Sequence, residues 1–580
     1  LSILAGRPRV ALTPQKSSST FFTRGVKLDP GSALHPQLPP LDFTETEEIS
    51  MAHNSFDYVI VGAGAAGGIL ANRLTADGTT TVALLEAGGK NPRPITMVPK
   101  AFFFTAYDPR TSKYFVKKFP TDHETWERGR MLGGSTEING MVWNRGWAPD
   151  YDAIEQAGNP GWNWDAFVNA WKQIEDHELG ASQVRGEGGP MHVSRAAGDQ
   201  TTDRFIEAAN ANGLFTVQDL NGSDAERVGY TSSNIKNGLR QGADTVFISP
   251  AKHRKNLTIL THHDVDKVVI ENGRAVGVVA RVKGGSTVTI RANKEVLLAA
   301  GALDTPTILE RSSVGNPDVL QAAGVDVTVA SPKVGENLSE HRGVSMIYNT
   351  EGTMSYNSQL SSLPRQLVTG LKYLATRDGI ISFGGYNALA YYKSSPDVER
   401  TDTFMMFTPI SVDPAKTNAP TPAKTPGFMV SVFPLRPESR GSVHITSADP
   451  DVRPTIVTNF LSTDGDRKVL ADATRRGREI LNTSPLGDHV TAEIVPGPEV
   501  TSDEAIVGFG LNYGASGYHT LGTASMGPDD EDVDADLRVR GVEALRVVDA
   551  SVFPHLTAGN NNAPTMAGAW IVADKIIAGH

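Results

Sequence analysis

From residue 56 onward the chain alternates short apolar runs with stretches of helical spacing. Tyr58-Val59-Ile60-Val61 is a continuous apolar run, Ala65 to Leu74 has helical period, and Val82 to Leu85 is a second apolar run. That succession predicts a βαβ unit whose strands are buried on both faces. Farther on, Leu257 to Leu260 reads as a strand, and Val265 to Ile270 and Val276 to Val282 flank Asn272-Gly273. An Asn-Gly pair tolerates the positive φ of a two-residue hairpin turn, so a β-hairpin is expected there. Glu295 to Ala300 is a further apolar strand ending at Gly301, and Leu545 to Val548 is another, followed by Asp549. Strands of one sheet are thus expected to be scattered through the chain. Between about residues 346 and 510 the alternation fades into polar segments, candidate strands at Asn387 to Tyr392 and Met429 to Phe433, and a loop holding Pro414, Pro420, Pro422 and Pro426. This predicts an inserted second domain, and no repeat of fixed period is present.

Residues 1–50 stand outside the pattern. Arg7, Arg9, Lys16, Arg24 and Lys27 precede any acid there, while Asp42, Glu45, Glu47 and Glu48 follow. The later acids favour an upstream extension, with Met51 as the natural start, over a targeting peptide, and a cytoplasmic protein is expected. The composition adds exclusions. At 580 residues, 39% hydrophobic and 21% charged, the chain can bury two large cores. A net charge of −11 offers no basic footprint for nucleic acid and disfavours anionic membranes. With no cysteine, disulfides and thiolate chemistry are excluded. The apolar stretch from Ala563 to Ile577 is broken by Asp574 and Lys575, so no membrane span is expected. No metal is expected either, because His262 and His263 are adjacent and would point to opposite faces of a strand.

The first chemistry-bearing motif is Gly62-Ala63-Gly64-Ala65-Ala66-Gly67, set between the first strand and its helix, with Glu86 ending the second strand 19 residues after Gly67. In that context Gly62 permits the tight turn, Gly64 lets a pyrophosphate approach, Gly67 allows close helix packing, and Glu86 accepts ribose hydroxyls. Dinucleotide binding follows, without separating FAD from NAD.

A second motif, Gly129-Arg130-Met131-Leu132-Gly133-Gly134-Ser135-Thr136-Glu137-Ile138-Asn139, resembles the first signature of the glucose-methanol-choline oxidoreductase family. Gly301-Ala302-Leu303-Asp304-Thr305-Pro306 resembles its second signature, with Ser313 standing where a glycine is usual. Val334-Gly335-Glu336-Asn337-Leu338, Tyr518-His519-Thr520-Leu521-Gly522-Thr523, and Leu545 to Thr565 extend the similarity, which runs from about Phe56 to Ile577. The resemblance implies an α/β chain, α+β overall: a Rossmann-like FAD-binding domain with an inserted mixed-sheet substrate-binding domain. The expected partition is residues 53–150, 200–345 and 510–580 for FAD, 151–199 and 346–509 for substrate, and 1–52 as the extension.

The resemblance also implies roles. Arg130, Gly133, Gly134, Ser135 and Asn139 would meet the pyrophosphate and flavin edge, Val265 the adenine, and Asp549 with Ala550 the ribityl chain, although Asp549 is equally suited to a helix or turn cap. Pro564 fits the first turn of a helix whose free N–H groups, with Asn562 and Thr565, would face the flavin N1–C2 edge and stabilise negative charge there. FAD is expected to be noncovalent, since the histidine of choline oxidase-type attachment is replaced by Ile138. His519 and Asn560 match the family's catalytic pair: the imidazole would take an alcohol proton, the amide would orient the oxygen, and hydride would pass to flavin N5. Phe102, Phe103, Phe104, Tyr107, Tyr386, Tyr391, Tyr392, Phe404, Met405, Met406 and Phe407 are candidates for core or for an aromatic pocket. Such a pocket suits a primary aryl or aliphatic alcohol, with O2 slightly preferred to a quinone as acceptor. The alternatives are a hydroxynitrile lyase with FAD but no net redox chemistry, and a quinone-linked dehydrogenase. His341, after Asn337-Leu338-Ser339-Glu340, is expected to give structural support near the cofactor, and the oligomeric state is not legible.

Overall fold

The computed structural model describes residues 55–579, apart from 106–107, 109–110, 118–122, 353–354 and 416–420. The expected extension at 1–52, Met51, Tyr107 and Pro420 lie outside the described residues. Seven strands form the first sheet, in the order Leu257–Thr261, Val82–Glu86, Ser55–Val61, Thr287–Leu298, Arg274–Val282 and His263–Glu271, with Leu545–Val547 pairing beside Thr287–Leu298. The strands from Leu257–Thr261 to Leu545–Val547 are parallel, and His263–Glu271, Arg274–Val282 and the first half of Thr287–Leu298 form an antiparallel meander. Its hairpin turns at Asn272 and Gly273, both at positive φ. Val59, Ile60 and every residue of Val82–Glu86 are buried, as continuous apolar runs in a doubly covered parallel sheet require. The helices Ala65–Leu74 and Asn562–Ile577 pack together, which brings the two ends of the described chain into one layer.

The second sheet has eight strands. Its order is Val490–Val495, Arg342–Thr350, Gly427–Pro434, Thr403–Thr408, Ala388–Tyr392, Arg227–Tyr230 and Phe215–Thr216, with Ala515–Ser516 against the start of Arg342–Thr350. All pairs are antiparallel except Phe215–Thr216 with Arg227–Tyr230, so the sheet is mixed. The helix Asp464–Leu481 covers one face through Leu470, Ala473, Gly477 and Ile480, at the spacing of one helical stripe. Gly477 lets the helix sit close, since a Cβ would lie 3.0 Å from the Met405 methyl and 3.1 Å from the Tyr392 hydroxyl.

Strand pairing and packing cross the expected partition in several places, and the helix Trp164–Ile174 of the expected substrate part packs on Asn562–Ile577. Phe215–Thr216 and Arg227–Tyr230, assigned to the FAD part as members of 200–345, run in the second sheet, as does the start of Arg342–Thr350. Arg227–Tyr230 finds its partner Ala388–Tyr392 far along the chain, and a strand as short as Phe215–Thr216 carries no period that announces its pairing. A third sheet likewise joins Thr111–Lys117 and His123–Gly129 to Ser442–His444 and Thr455–Val457.

Candidate active site

Where the first strand meets its helix, Gly62 has φ +98°, and a Cβ would fall 2.5 Å from the Ala299 carbonyl of the adjoining strand end. A Cβ on Gly67 would sit 1.9 Å from the Gly62 carbonyl, so this glycine seats the helix on its own turn. Gly64 differs: its missing side chain meets no atom within 4 Å, and it opens on a cavity of about 740 Å³. The helix begins there without a side-chain cap, and Ala65 and Ala66 line the cavity, the arrangement that receives phosphate at a helix N-terminus. Glu86, buried on the same wall, accepts the amides of Ala63 at 3.1 Å and Gly88 at 2.8 Å, and burial raises its carboxyl to about 7.

The second glycine loop closes on the first. Gly133 at φ +90° donates to the Ala63 carbonyl at 2.8 Å, and a Cβ on Gly134 would lie 2.9 Å from the Gly64 Cα. Ser135 Oγ accepts the Gly129 amide, Asn139 Oδ1 accepts Arg240 and the Met141 amide, and Arg130 pairs with Asp264 at 2.7 Å. Val265 is buried on the cavity wall where the strand pairing slips between Val265 and Lys267. Asp549 caps the short turn Ala550–Val552, and it accepts four donors: the Gly301 amide, the Thr305 hydroxyl, and the amide and hydroxyl of Ser551. Of the sequence-predicted residues, Gly67, Gly133 and Pro564 lie behind the wall and the others line it. Pro564 is buried in the first turn of Asn562–Ile577, while Asn562 and Thr565 reach the cavity.

His519 and Asn560 meet at this wall. His519 Nε2 lies 2.8 Å from Asn560 Nδ2, and His519 Nδ1 lies 2.8 Å from His341 Nδ1. His341 Nε2 in turn lies 3.0 Å from the Leu435 carbonyl. A carbonyl only accepts, so His341 carries its proton on Nε2 and presents a lone pair at Nδ1. His519 must then donate through Nδ1, and its Nε2 lone pair is left facing the cavity and the Asn560 amide. Burial, followed by the nearby His341 and Arg128, drives the His519 pKa well below the usual imidazole value, and burial lowers His341 to about 4. Both rings are neutral at pH 7. The imidazole is positioned from below by Gly517, where a Cβ would stand 2.7 Å from His519 Nδ1, and from behind by Glu340, which accepts the His519 amide at 2.9 Å.

Sequence reasoning placed His341 near the cofactor, but it missed the direct contact with His519 and the parts played by Glu340, Gly517 and Arg128. Only the segment Asn337-Leu338-Ser339-Glu340-His341 carried a signal for them. Among the aromatic candidates, Phe102, Phe103, Tyr386 and Met406 line the cavity. Strand alternation sorts the rest: Tyr391 and Phe404 stack behind that wall, and Tyr392, Met405 and Phe407 turn to the opposite core. Phe104 is exposed.

These residues fit FAD. The lining runs from Val265 through both glycine loops to Asn560–Thr565, and two buried polar atoms on it, Asn560 Oδ1 and Asn562 Nδ2, have no partner within the protein. Among the described residues, no group of three His, Asp or Glu side chains is placed to hold a metal.

Comparison with known proteins agrees. Profiles of the family described as GMC oxidoreductase match residues 56–342 and 437–569. The oxygen-dependent choline dehydrogenase of Photobacterium profundum is 34% identical over 90% of this chain and 93% of its own, and that of Chromohalobacter salexigens is 36% identical over 90% and 94%. Pyridoxine 4-oxidase from Mesorbium loti superposes with a TM-score of 0.81 at 29% identity, covering 90% of this chain and all of that one. A formate oxidase shares the fold, with a TM-score of 0.85 at 24% identity over 92% of this chain and 99% of its own. The matched length and the cavity walled by the two glycine loops lead to one conclusion: the chain belongs to the GMC oxidoreductase family, FAD-binding enzymes that oxidise CH–OH donors.

Proposed function

We propose that the chain oxidises a primary aryl or aliphatic alcohol to its aldehyde. The observation that carries this is the neutral His519 imidazole, fixed with its Nε2 lone pair 2.8 Å from the Asn560 amide on the cavity wall. Bound FAD supplies the acceptor for the carbinol hydrogen and its electron pair. His519 Nε2 accepts the substrate hydroxyl proton, and the Asn560 amide holds the oxygen in line. The Nδ1–H of His519 stays bonded to His341 throughout, so protonation needs no ring flip. Phe102, Phe103, Val142, Tyr386 and Met406 give an apolar wall that excludes water and suits an aryl or alkyl group. Glu127 also lines the cavity, its carboxylate accepting the Tyr518 hydroxyl at 3.0 Å, so the choline named for the relatives at 34–36% identity is the competing substrate that the test below includes. Oxygen is the favoured acceptor, in keeping with the oxygen-dependent and oxidase descriptions of those relatives.

The test is anaerobic mixing of the yellow holoprotein with benzyl alcohol, 5-hydroxymethylfurfural and choline, followed by air. Bleaching with the aryl alcohols and rapid recolouring with peroxide are expected. Bleaching by choline alone would overturn the substrate class, and slow recolouring would make the enzyme a dehydrogenase. Colour unchanged by any alcohol would favour the lyase.

A further inference from the structure

The helix Leu363–Thr376 is amphipathic in the wrong direction for a globular protein. Leu363, Leu367, Val368, Leu371 and Leu374 are between 56% and 79% exposed, while Tyr373 is its one buried residue. At about 100° per residue, Leu363, Leu374, Leu367, Leu371, Ala375 and Val368 fall within an arc of about 140°. Tyr373 points away from that arc and anchors the helix, its hydroxyl donating to the Gly238 carbonyl at 2.9 Å. The hydrophobic stripe therefore faces outward along the whole helix, where a surface helix ordinarily presents charge. A contiguous apolar face of this kind is built to be covered.

Charge says by what. Lys372 and Arg365 sit at the edge of the arc, Arg377 follows the last turn, and all three are exposed. Between Glu351 and Asp397 the only acid is Asp378, while the helix and its last turn carry Arg365, Lys372 and Arg377. In a chain of net charge −11 this is a local inversion of sign. The Debye length is about 8 Å at physiological salt, so a surface approaching the helix meets these cations rather than the charge of the whole molecule. A second copy bringing the same face would set like charges against each other, whereas an anionic lipid surface supplies both the apolar layer and the counter-charge. The exposed Phe104 follows Pro99–Ala101, which packs on Ile380–Ser382, which packs on the helix. The same two segments lead to Phe102, Phe103 and Tyr386 of the cavity wall.

We infer that Leu363–Thr376 lies in the interface of an anionic lipid bilayer and docks the enzyme there peripherally, with the apolar wall of the active-site cavity on the side of the molecule served by that helix. Among the described residues no helix is long and apolar enough to cross a membrane, so the docking is by this face and not by a span. The inference is independent of the substrate proposed above.

Co-sedimentation of the full-length holoprotein with vesicles tests it. Vesicles of phosphatidylcholine containing phosphatidylglycerol should pull the protein down, and phosphatidylcholine alone should bind about tenfold or more weakly, as a few interfacial cations would give. The double variant Leu367→Glu, Leu371→Glu should lose binding, and Arg365→Glu with Lys372→Glu should lose the preference for anionic lipid. Both variants should keep their yellow colour and their activity on a soluble alcohol, which shows them folded. No vesicle binding by the unaltered chain, or binding retained by the double leucine variant, would overturn the inference. So would a dimer that falls to monomer in the leucine variant without any lipid binding, because a second copy would then be what covers the face.

Discussion

His519 is set by a chain of hydrogen bonds that admits one direction of donation, from His341 to the Leu435 carbonyl and from His519 to His341. His519→Ala removes the only lone pair so placed, and alcohol-driven bleaching should fall by roughly 10²–10⁴-fold while FAD stays bound; stopped-flow rates close to those of the unaltered protein would sink the assignment. Asn560→Ala should slow the same step by about 10²-fold, since it leaves the base intact and loses only orientation. Both residues were legible in the sequence through the motifs around them. His341 was half legible, because a motif gives position along the chain but not which nitrogen meets which. A different histidine makes stability depend on pH. Burial alone would depress His444, but the carboxylates of Glu310 at 2.7 Å and Glu336 at 3.0 Å overcome it and raise the pKa to about 9. The folded pKa lies above the unfolded value of about 6.5, so the stabilisation is full below that value and is lost as pH rises through about 9. Melting temperature should therefore decline across that window, and His444→Gln should flatten the decline; an identical slope in the variant would refute the clasp.

Among the elements, the two glycine loops show why one composition serves three purposes. Gly67→Ala forces a Cβ against the Gly62 carbonyl, and Gly134→Ala drives the loops apart at a residue already at φ +54°. Each should lower both FAD content and melting temperature. Gly64→Ala meets no protein atom and should leave the fold intact while reducing FAD content alone, read as the flavin-to-protein absorbance ratio. If all three variants lost stability equally, the distinction between seat and ligand face would fail. The βαβ unit was legible to within a few residues because its strands are continuous apolar runs and the glycine-rich turn between them marks where the helix starts. Phe215–Thr216 and Arg227–Tyr230 were not, since Arg227–Tyr230 is a strand through its pairing with Ala388–Tyr392 and Phe215–Thr216 through its pairing with Arg227–Tyr230, which no local pattern records. Alternation within Thr403–Thr408 was visible in principle, yet which of Met405 and Met406 faces the cavity depended on where the sheet lies.

Over the whole molecule, the cofactor site is assembled from distant stretches of chain, so FAD should act as a cross-layer tie. Gly62 and Gly134 come from the first 150 residues, Val265 from the middle, and Asn560 to Thr565 from the end, all on one cavity. Binding to the folded state alone stabilises by about 2.7 kcal/mol at a hundredfold excess over Kd, so the melting temperature of the stripped protein should rise with added FAD. A covalent bond would abolish that dependence, and the lining argues against one. Ile138 stands on the wall, there is no cysteine, and the only histidines lining the cavity among the described residues are His263 and His519. His519 is held at Nδ1 by His341 and turns Nε2 to Asn560 at the catalytic end, where the base has to stay free for the substrate proton, while His263 sits beside Asp264 and Val265, at the end assigned to adenine. Acid precipitation should accordingly leave the yellow colour in the supernatant. A yellow pellet, together with a melting temperature indifferent to added FAD, would require an attachment that this lining does not provide.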